Sequence, residues 1–425
     1  MNVSTETHLL CTLSRAVSNI MAKYPDPFLD AFTFFQDKFR DSRSGLIYDN
    51  YNSESPETKS SISIGSTGFG LVILCIGDVL KLTAKDEAVL LATKTVDTLL
   101  GLRDKATSEN GFFAHWLDPV TGAPAGNKEF STIDTALMAA GALFARNYFR
   151  DSALEERVNT LVRGIKWGSA VVGSGSSGLY MTDDPLDNPT KPFNEYFMLA
   201  YVGKVVEGEM KEPGAMTSYF SSFYSNPPST LIAAGAHKKQ YYNFGPLWSD
   251  TDRFASSFVV QFCYYLSTFF QQQYYNIFLQ FAGADWLFFR KALENSKYKK
   301  YKTAYSRYEW GCGAGAYPPP DNYKAVAIDN DDQLVFSPPI IAGFFPADEY
   351  LTKSDTSFVP IEETLSTLYQ KNVCTNTVDQ KKILWRRSIC QPTWNAPVIQ
   401  SVDFSTLLLG YAWKLAETDF FKNAI

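Results

Sequence analysis

Four carboxylates stand where long polar loops give way to apolar runs with helical spacing: Glu129, Asp134, Glu195 and Asp403. Glu129 and Asp134 flank the start of the run 132–148. Glu195 follows Pro192-Phe193-Asn194, and Asp403 opens the run 404–416. Each acid has a plain structural explanation. The helix dipole favours an acid in a first turn, and Ser131, Thr132 or Asn194 can cap the helices beside them. Asp403 reads equally well as an N-cap. Capping accounts for one of Glu129 and Asp134, but not for both together with the aromatic loop before them. If these helix starts converge on one rim, they supply what cleavage of a glycosidic bond needs. One carboxylic acid protonates the leaving oxygen and one carboxylate activates water. The acid needs a raised pKa, which a cleft with aromatic walls supplies by desolvation.

Other chemistries have thinner support. The run 173–178 reads GSGSSG and matches G-x-G-x-x-G, but a helical pattern precedes it and an Asp/Pro-rich stretch follows. A dinucleotide fingerprint needs a strand before and a helix after, so a loop is expected. Asp329, Asp331 and Asp332 lack the Gly and distal Glu of a calcium loop. The basic, aromatic run 297–302 reads as a solvated helix end in an acidic chain. His8, His115 and His237 show no metal spacing, and no G-x-S-x-G elbow is present. Cys11, Cys75, Cys263, Cys312, Cys374 and Cys390 include no C-x-x-C pair. Cys11, Cys75 and Cys263 read as core thiols, while Cys374 and Cys390 flank a loop and have the option of pairing. No cofactor and no metal site are expected.

The elements that must position the four acids are helical. Spacing of 3.6 residues marks 9–24, 28–39, 62–82, 86–102, 132–148, 154–172, 194–206, 252–270, 275–293, 340–350, 361–370 and 404–416. Alternation of period two is scarce, so no sheet of any size is expected. The stretch 213–248, with its Pro and Gly, reads as mostly loop. About twelve helices in units of about 35 residues suggest six helical hairpins, which can close into an (α/α)6 toroid. No shared repeat motif and no linker divides the chain, so one all-α domain is expected over residues 1–425. The longer connections are 40–60, 103–130, 173–193, 211–250, 301–339 and 372–402. They recur at every second junction, which puts them at one end of a toroid, and loops of this length in a compact domain usually carry function.

Composition narrows the partners. The formal net charge is -6, without a field suited to nucleic acid or an anionic membrane. Aromatic residues make up 15% of the chain. The Tyr and Trp among them want partners for their polar tips, and a groove lined by them suits sugar rings. The N-terminus lacks a basic segment followed by a long apolar run. Leu9, Leu10 and Leu13 look like a helix face, and the apolar stretch 69–77 is too short to span a bilayer. A soluble product is expected, its compartment open. Asn2, Val3 and Ser4 make the one N-glycosylation sequon considered.

Several segments resemble, in order, those of glycoamylase-like proteins of bacteria and fungi. They are SIGSTGFG at 63–70, GFFAHWLD at 111–118, EFSTIDTAL at 129–137, FNEYFML at 193–199, the Pro/Ala/Gly-rich stretch 328–345, and VDFSTL at 402–407. The matches span roughly residues 28 to 418. Members of this group include endo-β-1,2-glucanases of glycoside hydrolase families 144 and 162, which have (α/α)6 folds and act by inversion. The resemblance implies that Glu195 is the general acid and, less directly, that Asp403 is the general base. It implies that Glu129 and Asp134 bind sugar hydroxyls at the cleft floor. In the fungal group the base acts through a substrate hydroxyl and an extended water path. Loop position and residue type add Trp116, Tyr180 and Trp310 as platforms for sugar rings. The sequence departs from the bacterial pattern at 247–261 and at Phe404-Ser405-Thr406, which points to the fungal-type family 162 or an uncharacterised neighbour of it. The expected substrate is a poly- or oligosaccharide, with no nucleic acid, no membrane and no oligomeric state specified. Two alternatives stay open: a transglycosylase or hydrolase of another β-glycan on this fold, and a toroid that binds glycans without cutting them.

Overall fold

The structure is a computed structural model and describes residues 23–126, 128–173, 178–183, 189–417 and 419–425. The helical stretch expected at 9–24 lies almost wholly outside these residues. So do His8, Cys11, the sequon at 2–4 and positions 174–177 of the glycine-rich run.

Twelve helices build the ring. They are α1 (Asp26–Phe34), α2 (Ile64–Val79), α3 (Lys85–Ala106), α4 (Thr132–Phe149), α5 (Ser152–Arg163) and α6 (Phe197–Met210). The second half comprises α7 (Ala215–Phe223), α8 (Phe258–Leu266), α9 (Tyr275–Ala292), α10 (Pro338–Gly343), α11 (Ile361–Gln370) and α12 (Ser401–Leu415). Two kinds of sequence alternate. In α2 every residue from Ile64 to Asp78 is buried. A helix that is apolar on all sides must be enclosed by others. In α5, by contrast, Leu154, Val158, Leu161 and Val162 form one buried stripe and charged residues cover the rest. The even-numbered helices make the inner ring and the odd-numbered ones the outer. Each inner helix packs on the next, and α12 packs back on α2 to close the circle. This is the expected (α/α)6 toroid. Phe69 of α2 and Phe262 of α8 meet across its middle with ring centroids 4.8 Å apart, so side chains fill the centre.

Backbones approach closely where the inner ring is tightest. A Cβ placed on Gly141 of α4 would lie 2.0 Å from the Gly68 carbonyl oxygen of α2. One on Gly410 of α12 would lie 2.0 Å from the Ala342 carbonyl oxygen of α10. These seams let the inner helices meet main chain to main chain.

Two local readings are corrected. The stretch 213–248 is not mostly loop: it holds the outer helix α7, a short helix Ser229–Ala233, and the hairpin of His237–Tyr241 with Phe244–Ser249. The Ser- and Phe-rich sequence of α7 has weak helix propensity, and its start is secured from outside. Buried Glu207 of α6 accepts hydrogen bonds from the N–H groups of Gly214 (2.9 Å), Met216 (3.2 Å) and Thr217 (2.8 Å). The run 252–270 breaks at Ser267, whose hydroxyl caps the helix Thr268–Gln273 by accepting from the Phe270 N–H. Among the described residues the sheets are all two-stranded. Several sit just before inner helices: Ile62–Ser63 pairs with Trp116–Leu117, Asn50–Asn52 with Val398–Gln400, and Val335–Phe336 with Arg387–Ser388. With the stretch 211–250 divided by α7, each long connection runs from an outer helix to the next inner one. The N-termini of all six inner helices therefore face one end. No described helix is long and apolar enough to cross a membrane.

Candidate active site

The loops at that end bring the four acids into one electrostatic neighbourhood: His115 lies near Glu129 and Asp134, Asp134 acts on Glu195, and Glu195 and Asp403 both act on Tyr323. Asp134 sits in the first turn of α4, where Ser131 caps the helix by accepting from the Asp134 N–H (3.1 Å) and donates its hydroxyl to Asp134 Oδ2 (2.6 Å). The same Oδ2 lies 3.6 Å from His115 Nδ1, and Glu129 Oε1 lies 4.0 Å from it. His115 stacks on Trp116 with centroids 3.8 Å apart and planes 18° off parallel. Trp116 Nε1 donates to Asp49 Oδ1 at 3.1 Å. Trp116 is thus half-buried, with one face covered by imidazole and its edge fixed by a carboxylate. Tyr180 is half-buried on the same side, and its carbonyl accepts from the Thr132 hydroxyl at 2.7 Å.

Glu195 precedes α6 by two residues in a braced loop. Asn194 donates from Nδ2 to Asp250 Oδ2 (3.0 Å) and to the Lys191 carbonyl (3.2 Å), while its Oδ1 accepts from the Tyr196 N–H. Thr190 also donates to Asp250 at 3.3 Å. Burial pushes the Glu195 carboxyl up to about 7, against a partial opposing effect of backbone hydrogen bonding. The negative charges of Asp250 and Asp134 add to the rise. The acid therefore keeps its proton at a higher pH than an ordinary glutamate, which suits a proton donor.

Asp403 is not an N-cap. It lies in the first turn of α12, 1% exposed, and its carboxylate makes no hydrogen bond. Burial raises it to about 7, and Arg386 pulls the other way. The Ala314 N–H is close enough to lower it further without reaching hydrogen-bond alignment.

Trp310 is not a platform. It is 1% exposed, parallel to Phe344 at 6.2 Å and edge-on to Phe358, which makes it part of the core beneath the rim. An unforeseen aromatic, Tyr323, lies near both Asp403 and Glu195. Tyr323, on the strand Tyr323–Ala325 that pairs with Ala314–Ala316, is 57% exposed. Its hydroxyl is nonetheless pushed up to about 12, first by burial and then by Asp403, with Arg386 opposing and Asp49 and Glu195 contributing. Tyr323 is electrostatically coupled to both Glu195 and Asp403. Sequence reading missed Asp49, Asp250, Arg386 and Tyr323 as site residues, and treated His115 only as a residue without metal spacing. His115 was findable, since it adjoins Trp116 in the segment 111–118.

No group of three or more His, Cys, Asp or Glu is placed to hold a metal among the described residues. Asp331 serves structure: it accepts from the Tyr317 hydroxyl (2.8 Å) and from the N–H groups of Gln333 and Val335. Cys374 and Cys390 are free thiols, so the pairing option is not taken.

No family model matches the sequence, and no curated protein matches it either. Solved structures do match. The chain is similar to a Bacteroides uniformis protein provisionally named a glucoamylase (TM-score 0.72, 17% identity, 93% of this chain and 92% of that one). It is similar to an endo-β-1,2-glucanase from Chitinophaga pinensis (TM-score 0.65, 19% identity, covering 92% and 93%). It is also similar to an endo-β-1,2-glucanase from Talaromyces funiculosus (TM-score 0.56, 11% identity, covering 92% and 84%). At these identities the likeness establishes the fold.

Proposed function

We propose that the chain is one catalytic domain, an endo-acting glycoside hydrolase that cleaves β-1,2-glucan with inversion. Glu195 is the general acid and Asp403 the general base. The observation that carries this reading is Glu195 itself, a carboxyl raised to about 7 by burial beside Asp134 and Asp250, which with Asp403 acts on the same Tyr323 hydroxyl. In the reaction Glu195 gives its proton to the glycosidic oxygen as the bond to the anomeric carbon breaks. Water attacks that carbon from the opposite face and its proton passes to Asp403. The burial of Asp403 favours transfer through a substrate hydroxyl over direct contact. Glu129, Asp134 and His115 hold sugar hydroxyls, and Trp116 and Tyr180 support the rings. The linkage is argued from proteins of the same fold: the Chitinophaga glucanase is a complex with sophorotriose and glucose, and the Talaromyces glucanase a complex with sophorose. The backbone overlays the bacterial enzyme better than the fungal one, so the reading takes no side between the two types.

The test is hydrolysis of linear β-1,2-glucan followed by NMR. The α-anomer is expected first, and products longer than the substrate would mean transglycosylation instead. Glu195→Gln should lower kcat by ~10²–10⁴-fold, the usual contribution of acid–base catalysis, with the fold intact. Asp403→Asn should do nearly the same. Activity like the wild type in Glu195→Gln would sink the assignment, and in Asp403→Asn would place the base elsewhere.

A further inference from the structure

Asp403 and Arg386 form the least satisfied polar pair in the described protein. Both are 1% exposed. Asp403 Oδ1 and Oδ2 and Arg386 Nε, Nη1 and Nη2 make no hydrogen bond to any protein group. The two charged ends lie under one strand without touching each other. A Cβ on Gly313 would sit 2.8 Å from Asp403 Oδ2, and one on Gly315 would sit 2.7 Å from Arg386 Nη1. Glycine at both positions is what lets the strand close over them. The groups that face Asp403 are Arg386, the Tyr323 hydroxyl and the Ala314 N–H. Those that face Arg386 are Asp403, Asp331, Tyr323 and Cys312. Asp331 is already committed to Tyr317 and two backbone N–H groups. Of the two anions facing the guanidinium, Asp403 stabilises it more than Asp331 does. A carboxylate alone at this depth takes up a proton, whereas a guanidinium keeps its charge.

We propose that Arg386 is a positioning residue that keeps Asp403 ionised in a place where burial alone would leave it protonated. The kinetic consequence rests on reading Asp403 as the base; the coupling of the two charges rests on their shared burial under one strand and their lack of other partners.

The experiment uses the full chain labelled with ¹³C at the aspartate carboxyls, with Asp403→Asn identifying the resonance. In Arg386→Met the titration midpoint of Asp403 should rise by at least ~1 unit, the size expected for losing a close opposite charge. Arg386→Lys should restore most of it. The acid limb of the kcat/KM profile should move up by the same amount. An unmoved midpoint in Arg386→Met overturns the proposal. A moved midpoint with an unmoved acid limb upholds the coupling and removes Asp403 from the role of base. Circular dichroism reports whether Arg386→Met folds, and Arg386→Gln carries the same expectation if it does not.

Discussion

At the level of single residues, two acids, Glu195 and Asp403, are buried against their own ionisation. Glu195 is held up to about 7 from an ordinary 4.5, chiefly by burial. Such a group favours the folded state only while protonated. Its contribution is complete below about pH 4.5 and is lost as the pH climbs through 7. Glu195→Gln removes that loss. The variant should therefore be more stable than the wild type at pH 8, by ~1–2 kcal/mol after discounting for partial exposure. The gain should vanish near pH 4. Thermal unfolding at both values checks this, and an equal gain at the two would show that the side chain is not strained by charge. Glu195 and Asp403 were legible in the sequence because an acid at a helix start after a long loop is a local pattern. Trp310 was misjudged and Tyr323 missed for one reason. Whether an aromatic ring meets solvent or core depends on what packs over it, here Phe344 and Phe358 for Trp310 and solvent for Tyr323.

At the level of elements, inner and outer helices differ in what a methyl group does to them. Gly141 abuts the Gly68 carbonyl oxygen, a backbone atom that cannot swing aside. Gly141→Ala should cost at least the upper end of the roughly 1–3 kcal/mol typical of overpacking. Gly101 lies in the outer helix α3 with nothing within 4 Å of its would-be Cβ. Gly101→Ala should stabilise by about 0.4–1 kcal/mol, through a less disordered unfolded chain. Urea midpoints of the two variants should move in opposite directions. Helices such as Ile361–Gln370 were visible from periodicity to their last residue. Helix α7 was not, because the group that secures its N-terminus, Glu207, belongs to another helix.

At the level of the whole molecule, the ring gathers Asp49, Glu129, Asp134, Asp250, Glu195 and Asp403 at one end, against Arg386 and His115. A cleft of that sign repels anions. Carboxymethylated β-glucan should be cleaved with a kcat/KM at least ~10-fold below that of the neutral polymer at low salt, and the gap should narrow as salt screens the field. Equal rates on both polymers at low salt would contradict this. The sequence by itself determined that the chain is helical, that its helices alternate with long loops, and that acids sit where those loops end. Periodicity and helix-start chemistry are local, so they are written in neighbouring residues. Only the tertiary structure decided which ring of helices is inside, which aromatics face the cleft, and which distant charge stands beside each acid. Those depend on contacts between segments as far apart as Arg386 and Gly315, and no local pattern carries them.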